Sequence, residues 1–350
     1  MTLSHVRIVG SGLIGTSIGL ALALKGVGVS MHDLDARAQG LAEDLIKSPS
    51  TDQVDLVIFA VPIGALTSVL DAEFKANPHS AFIDISSVKT KVKAEVSTST
   101  LPLQRFLPSH PMAGREVGGA ESARADLFQG RPWIIDSEGV DLDVIDKASE
   151  LIELLGGHQI DLNSSEHDKA VALVSHLPQL VASLLAKQLL GGDERWLDLA
   201  GAGLRDTTRI AGSDSKLWRE IVTANSAALT PLLRALQSDL AKLIESIEDE
   251  NSVAQLITDG QMGRARIPGK HGGKAREYTY LPIVIEDKPG QLAALFDECA
   301  TAAVNVEDLA IEHSPGQFTG LITLALSESD AHTLATHLKS RGWSVHSPKK

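Results

Sequence analysis

The 350-residue sequence predicts an α/β domain built on a doubly wound, mostly parallel sheet, followed by an all-helical domain and a C-terminal βαββαβ module. Three observations predict this. Short apolar strands alternate with helical segments over residues 5–162, as in a sheet covered on both faces by helices. Past Gly157 the strand pattern stops, and leucine and isoleucine recur at helical spacing. After residue 277 strands and helices follow in the order β, α, β, β, α, β. The expected boundaries are 1–162 for the first domain, 163–258 for the helical domain, 259–277 for a linker and 278–350 for the last module.

The first strand, Val6 to Val9, runs into Gly10-Ser11-Gly12-Leu13-Ile14-Gly15 and then into a helix over residues 16–25. G-x-G-x-x-G at a strand-to-helix corner is a dinucleotide fingerprint of Rossmann-type domains. Gly10 permits the tight turn, Gly12 lets a pyrophosphate reach bare backbone, and Gly15 lets the helix sit close to its strand. A run over residues 27–32 ends at Asp33, where a carboxylate would accept the ribose hydroxyls of NAD and repel the extra phosphate of NADP. Arg37, close behind, leaves the choice of NAD over NADP less firm. Strands over 55–61, 80–85 and 132–136 complete the expected sheet. Ligands of such sheets lie at the carboxyl ends of the strands, so Gly10, Asp33, Ala60, Val61, Pro62, Ser86, Ser87, Ser109, His110 and Pro111 should share one rim, with Val61 and Pro62 at the cofactor.

A long helix is expected over 166–190, shorter pieces over 194–211, then a stripe of Leu229, Leu232, Leu233, Leu236, Leu240, Leu243, Ile244 and Ile247. Such a stripe suits packing against a second copy, hence a homodimer, and an internal bundle core explains it almost as well. The Gly- and Lys/Arg-rich run 260–276 reads as a connector. Then come a strand over 278–286, a helix carrying Leu292, Leu295, Phe296 and Cys299 on one face, strands over 305–313 and 318–326, a helix over 329–340 and a strand over 343–347. With its Asp-x-Pro-Gly-x-Leu opening the module resembles the ACT domain. That resemblance implies an amino-acid effector site at Asp287, Pro289, Gly290 and Leu292; a purely structural ferredoxin-like module is the other reading.

A net charge of −13 argues against nucleic acid as the main partner, because phosphates would be repelled. The single cysteine, Cys299, excludes an internal disulfide and fits a reducing compartment. The chain starts directly in a strand, and no apolar run is expected to span a bilayer, so the reading is cytoplasmic with no membrane partner. His167 and His176, with no third ligand near, make a poor metal site.

Five polar motifs go beyond what amphipathic periodicity requires: the glycine turn; Asp84-Ile85-Ser86-Ser87-Val88-Lys89; Ser109-His110-Pro111-Met112-Ala113-Gly114-Arg115-Glu116; His167-Asp168 with Ser175-His176-Leu177-Pro178; and Asp206-Thr207-Thr208-Arg209-Ile210-Ala211-Gly212-Ser213-Asp214 followed by Trp218. In that order they closely resemble the prephenate/arogenate dehydrogenase family over roughly residues 5–255. The resemblance implies transfer of hydride from C4 of a cyclohexadiene to NAD, with loss of carbon dioxide as the ring becomes aromatic. It implies that His110, with a near-neutral pKa, takes the hydroxyl proton, and that Ser87 hydrogen-bonds both His110 and that hydroxyl. Arg209 would clamp a substrate carboxylate through its planar fork, His176 would touch substrate, Glu116 would gate the mouth and Trp218 would form a wall. Gln179 follows Ser-His-Leu-Pro where family members often carry histidine, which leaves prephenate against arogenate open.

Plainer roles exist for several of these residues. His110 before a proline also suits a turn, His176 a satisfied core position, Asp206 and Asp214 helix caps or partners of Arg209, and Glu116 open surface. The reading adopted is an NAD-dependent prephenate dehydrogenase with a regulatory module sensitive to an aromatic amino acid, tyrosine foremost; an arogenate or dual-substrate enzyme is the alternative. A β-hydroxyacid or imine reductase would need Lys169 or Lys187 as its acid/base, and an NAD and amino-acid sensor would need no catalytic histidine.

Overall fold

The computed structural model describes residues 3–48, 53–115, 117–267, 278–312 and 318–349. The chain divides into two compact units, Met1–Leu240 and Ala241–Lys350. In the first unit, five parallel strands, β1 (His5–Val9), β2 (Gly28–His32), β3 (Leu56–Phe59), β4 (Ala81–Asp84) and β5 (Phe106–Leu107), form a sheet in the order β2-β1-β3-β4-β5. Period-two alternation divides the side chains between its faces. Val6, Ile8, Leu56, Ile58, Ala81 and Ile83 pack on one face with α1 (Leu13–Ala23), α2 (Ala36–Ile46) and α5 (Leu142–Leu154). On the other, Val9, Val57, Phe59 and Phe82 pack with α3 (Ile63–Ala76) and α4 (Thr90–Ser97). With both faces covered, β3 is apolar throughout and the other strands are largely so. Truncating a fully buried ring such as Phe82 to alanine would cost about 3–5 kcal/mol.

The strand expected at 132–136 does not join this sheet. β6 (Ser109–Pro111), β7 (Pro132–Ile135) and β8 (His158–Asp161) form a separate three-stranded sheet, antiparallel between β6 and β7 and parallel between β7 and β8. Strand β5 pairs through two residues only, and Pro108, which has no N–H to donate, follows it. The chain therefore leaves the ladder there and re-pairs, which carries His110 across the end of β4.

The expected helix over 166–190 is a helical run with an irregular centre: α6 (Ser164–Val171), a π-helical turn over Ala172–His176, and α7 (Leu177–Gln188). Asn163 caps its start by accepting from the amide of Glu166. Nine residues apart, His167 and His176 would be about two and a half turns apart on a regular helix and point to opposite sides. The wide turn resets that phase, and both rings are buried. Over Ser164–Gly191 this run is long and apolar enough to cross a membrane by length and composition, contrary to the sequence expectation. Its buried His167, Asp168, His176 and Gln179 instead face polar partners inside the unit.

Beyond it lie α8 (Glu194–Leu197), α9 (Ala202–Thr208), a 3-10 turn over Arg209–Gly212, α10 (Ser215–Ala224), α11 (Ser226–Glu245) and α12 (Glu250–Ala265). Asp214 caps α10, accepting from the amides of Lys216 and Leu217, so its capping reading holds. Of the leucine stripe, Leu229 is buried, whereas Leu236, Leu240, Ile244 and Ile247 are exposed. Helix α12 runs to Ala265, through the first part of the stretch expected to be a connector; its interior glycines are outweighed by i→i+4 hydrogen bonding and a cap at Asp249. Residues 268–277, the rest of that expected linker, lie outside the described residues.

In the second unit, β9 (Thr279–Glu286), β10 (Asp308–Glu312), β11 (Thr319–Leu326) and β12 (Ser344–Val345) form an antiparallel sheet in the order β10-β11-β9-β12. With α13 (Gln291–Thr301) and α14 (Glu328–Ser340) this is the expected βαββαβ order, and Leu281, Ile283, Leu295, Ile322, Leu324 and Leu334 close a core of its own. Asp287, Pro289, Gly290 and Leu292 form an exposed turn in which Gly290 takes φ +89° at the start of α13.

Candidate active site

The glycine turn meets the three demands read from the sequence. Gly10 has φ +113°, and a Cβ there would lie 2.3 Å from the carbonyl oxygen of Ala60. A Cβ on Gly15 would lie 2.1 Å from the Gly10 carbonyl oxygen, so α1 packs on β1 at glycine distance. At Gly12 a Cβ would meet nothing within 4 Å, and the bare backbone faces open space. A cavity of about 260 Å³ beside it is lined by Gly10, Gly12, Asp33, Val61 and Pro62, and an adjoining one of about 500 Å³ by Gly12, Leu13, Ile14, Val61, Pro62 and Ser87. Ser11 is buried and its amide donates to Asp33. This cradle fits NAD: open backbone at a helix N-terminus for the pyrophosphate and a carboxylate at the end of β2 for the ribose.

A third cavity, of about 780 Å³, shares Ser87, Ala113, Gly114, Trp218 and Ile221 with the middle one and is lined further by His110, His176, Gln179 and Arg209. The sequence-expected residues Ser87, His110, His176, Gln179, Arg209 and Trp218 therefore converge on one cavity that adjoins the cleft. Glu116 lies outside the described residues. Trp218 meets the His176 ring edge-on, with centroids 5.9 Å apart. Gln179 is buried, its Nε2 donating to the Ile210 carbonyl oxygen at 2.9 Å, so it braces the turn that carries Arg209.

Two of these residues, His110 and His176, differ from expectation, and Lys89 and Arg115 were missed. His110 Nδ1 pairs with His167 Nε2 at 2.9 Å rather than with Ser87, because the helix bearing His167 presses its ring behind β6. The pKa of His110 lies well below its ordinary 6.5 rather than near neutrality, first because of burial and then because of His167, Lys89 and His176. Burial likewise lowers the pKa of His176 to about 4, against the pull of Asp168. Both rings are thus neutral at pH 7. Lys89, 1% exposed, was not singled out by the sequence beyond its motif. Its ammonium bonds Asp84 and the Ser109 carbonyl, and the Ser109 amide and hydroxyl bond Asp84 in turn. This knot fixes β6, and with it His110, on the end of β4. Arg115 adds a cation to both larger cavities. Lys169 and Lys187, the bases a reductase would need, are exposed and line neither.

Known proteins resemble this chain over both of the domains that line the cavity. The family description "Prephenate dehydrogenase, nucleotide-binding domain" matches residues 19–161, and "Prephenate dehydrogenase, dimerization domain" matches residues 163–257. A relative from Streptomyces niveus described as "Probable prephenate dehydrogenase" is 30% identical over 97% of this chain and 99% of its own. The chain belongs to the prephenate dehydrogenase family. A cyclohexadienyl dehydrogenase of Zymomonas mobilis is 32% identical over 76% of this chain and 97% of its own. A prephenate dehydrogenase of A. aeolicus, solved with hydroxyphenyl propionate and NAD+, shares the fold with a TM-score of 0.68 and 24% identity over 75% of this chain and 98% of that one. As a member of this family the chain is a dehydrogenase, and the cavity that holds His110, His176 and Arg209 belongs to its nucleotide-binding and dimerization domains.

Proposed function

We propose that the protein is an NAD-dependent prephenate dehydrogenase that converts prephenate and NAD+ into 4-hydroxyphenylpyruvate, carbon dioxide and NADH. The observation that carries this is the convergence of His110, His176 and Arg209 on one cavity continuous with the glycine-turn cleft. Bound NAD supplies the hydride acceptor. His110, neutral and half-buried, takes the proton of the C4 hydroxyl as that carbon becomes a carbonyl, and returns it to the same oxygen as the ring carboxylate leaves. No net proton is released. Arg209 holds a carboxylate through two parallel hydrogen bonds, and Ser87, on the wall shared by both cavities, orients the hydroxyl. Trp218 and Ile221 keep water from the ring.

Arogenate is the second reading. It is favoured by the cyclohexadienyl dehydrogenase relative, while Gln179, a neutral amide at the pocket wall, suits the side chain of either substrate. The exposed apolar residues of α7 and α11, Leu184, Leu185, Leu236, Leu240 and Ile244 among them, support a homodimer, and buried, unpaired Cys299 is in keeping with a cytoplasmic enzyme. The C-terminal unit is proposed as an ACT module that takes tyrosine or a related amino acid at Asp287, Pro289, Gly290 and Leu292. Assay of the purified protein with prephenate and arogenate, each with NAD and NADP, tests the assignment: NADH formation from prephenate is expected, and reduction of neither cofactor with either substrate rejects it.

A further inference from the structure

The two pocket histidines have a common anchor behind them. His167 Nδ1 lies 2.9 Å from Asp168 Oδ1, and His167 Nε2 lies 2.9 Å from His110 Nδ1. On the other side, Asn225 Nδ2 donates to the main-chain carbonyl of Asp168 at 2.8 Å and lies 3.1 Å from His176 Nδ1. Asp168 itself is held by the amides of Lys89, at 2.8 Å to Oδ1, and Thr90, at 2.9 Å to Oδ2. One residue thus touches the backs of both histidine chains and the loop that follows Ser86 and Ser87.

The direction of each hydrogen bond follows from what the end groups can do. Burial raises the Asp168 pKa, but hydrogen bonds from His167, Lys89 and Thr90 outweigh it and hold the carboxyl ionised, hence acceptor-only. His167 must then donate from Nδ1; carrying a single ring hydrogen, it keeps a lone pair on Nε2, and His110 donates to it from Nδ1, which is the premise the inference takes. The His110 Nε2, on the ring edge left for the cavity, carries a lone pair. Along the second chain, a carbonyl oxygen can only accept, so the group of Asn225 between Asp168 and His176 is its NH2. It donates to His176 Nδ1, and neutral His176 keeps its hydrogen on Nε2.

We infer that Asp168, acting through His167 and Asn225, is a positioning residue that fixes the pocket histidines in opposite tautomers: His110 as an acceptor at Nε2 and His176 as a donor at Nε2. The inference rests on the dehydrogenase reading for its purpose, since a base and a hydrogen-bond donor are what a hydroxyl and a carboxylate of one substrate require. Its geometry does not depend on which substrate that is. Second-sphere partners of this kind set a ring's tautomer and orientation without touching the ligand.

The experiment reads the tautomers directly. In the unliganded, full-length protein with 15N-labelled histidine, long-range 1H–15N spectra distinguish Nδ1–H from Nε2–H rings, with His110→Asn and His176→Asn assigning the signals. Nδ1–H for His110 and Nε2–H for His176 are expected; the reverse for either overturns the inference whether or not prephenate is turned over. In His167→Phe the acceptor behind His110 is gone. The His110 signal should then shift towards the Nε2–H form and kcat should fall by about 100-fold, with KM for substrate and the Kd for NAD changed far less. His167→Gln places an amide oxygen near the lost Nε2 and should recover most of both. An unchanged His110 tautomer in His167→Phe, or equal losses in the Phe and Gln variants, would show that His167 only fills space. Failure of both natural substrates with the tautomers as stated would instead remove the proposed reaction and leave the tautomer assignment standing.

Discussion

The amide of Ser11 donates to Asp33 Oδ2 at 2.7 Å, tying the glycine turn to the end of β2. The other carboxylate oxygen accepts from the amide of Asp35 at 2.9 Å. The acceptor a ribose needs is therefore already oriented by backbone donors beside the place where the pyrophosphate would lie.

Replacing Asp33 by serine should weaken NAD binding about tenfold and narrow the gap between NAD and NADP, because the repulsion of a 2′-phosphate goes with the charge. Titration with both cofactors checks this. An unaltered ratio of affinities would mean that Asp33 only closes the turn.

Gly10 and Gly12 should respond differently to the same substitution. Gly10→Ala forces a Cβ against the Ala60 carbonyl in a left-handed backbone and should cost at least about 1–3 kcal/mol of stability. Gly12→Ala meets no protein atom, so its melting temperature should stay near that of the parent while NAD affinity falls. Equal thermal losses in the two variants would contradict the open cradle at Gly12.

His110→Asn should lower kcat by about 100-fold or more and leave the Kd for NAD nearly unchanged, since the proposed role of the ring is with the substrate hydroxyl and not the cofactor. Arg209→Lys keeps the charge but loses the fork, so KM should rise with a smaller change in kcat. Retention of full turnover in His110→Asn would remove the base from the mechanism.

Acid should destabilise the protein through its two neutral histidines. His176 titrates at about 4 in the folded chain against an ordinary 6.5, and His110 is lowered in the same direction. Below pH 6.5 the unfolded chain binds protons that these rings refuse, so their contribution is complete above 6.5 and is lost as pH falls towards 4. Urea midpoints measured across that window should decline, and the decline should be shallower in His176→Gln. A flat midpoint over the same range would contradict the neutral, buried assignment.

On the proposal that tyrosine acts through the C-terminal module, deleting residues 277–350 should remove any inhibition by tyrosine while dehydrogenase activity persists, because the C-terminal sheet and helices close a hydrophobic core of their own. By linkage, tyrosine bound to the full chain should change the affinity for substrate or cofactor if it acts by shifting binding. Undiminished inhibition in the shortened chain would move the effector to the active site.

What the sequence determined by itself is what short spacing encodes. The turn from Gly10 to Gly15, its partner Asp33 and the βαββαβ order of the last segment are local patterns of backbone freedom and hydrophobic period, whereas the change from strands to helices falls after β8 (His158–Asp161) rather than at Gly157. The motifs around Ser87, His110, His176 and Arg209 were likewise visible, because polar residues at positions that periodicity would make apolar stand out. Tertiary structure decided which of them touch. A two-residue β5 followed by Pro108 sends Ser109–Pro111 into a different sheet, and a π-helical turn lies between His167 and His176, which are both buried. Only then do His110 and His167, 57 positions apart, come within hydrogen-bonding distance. The lowered pKa values of His110 and His176 were beyond the sequence for the same reason: they depend on desolvation and on partners from distant segments, and those exist only once the chain has packed.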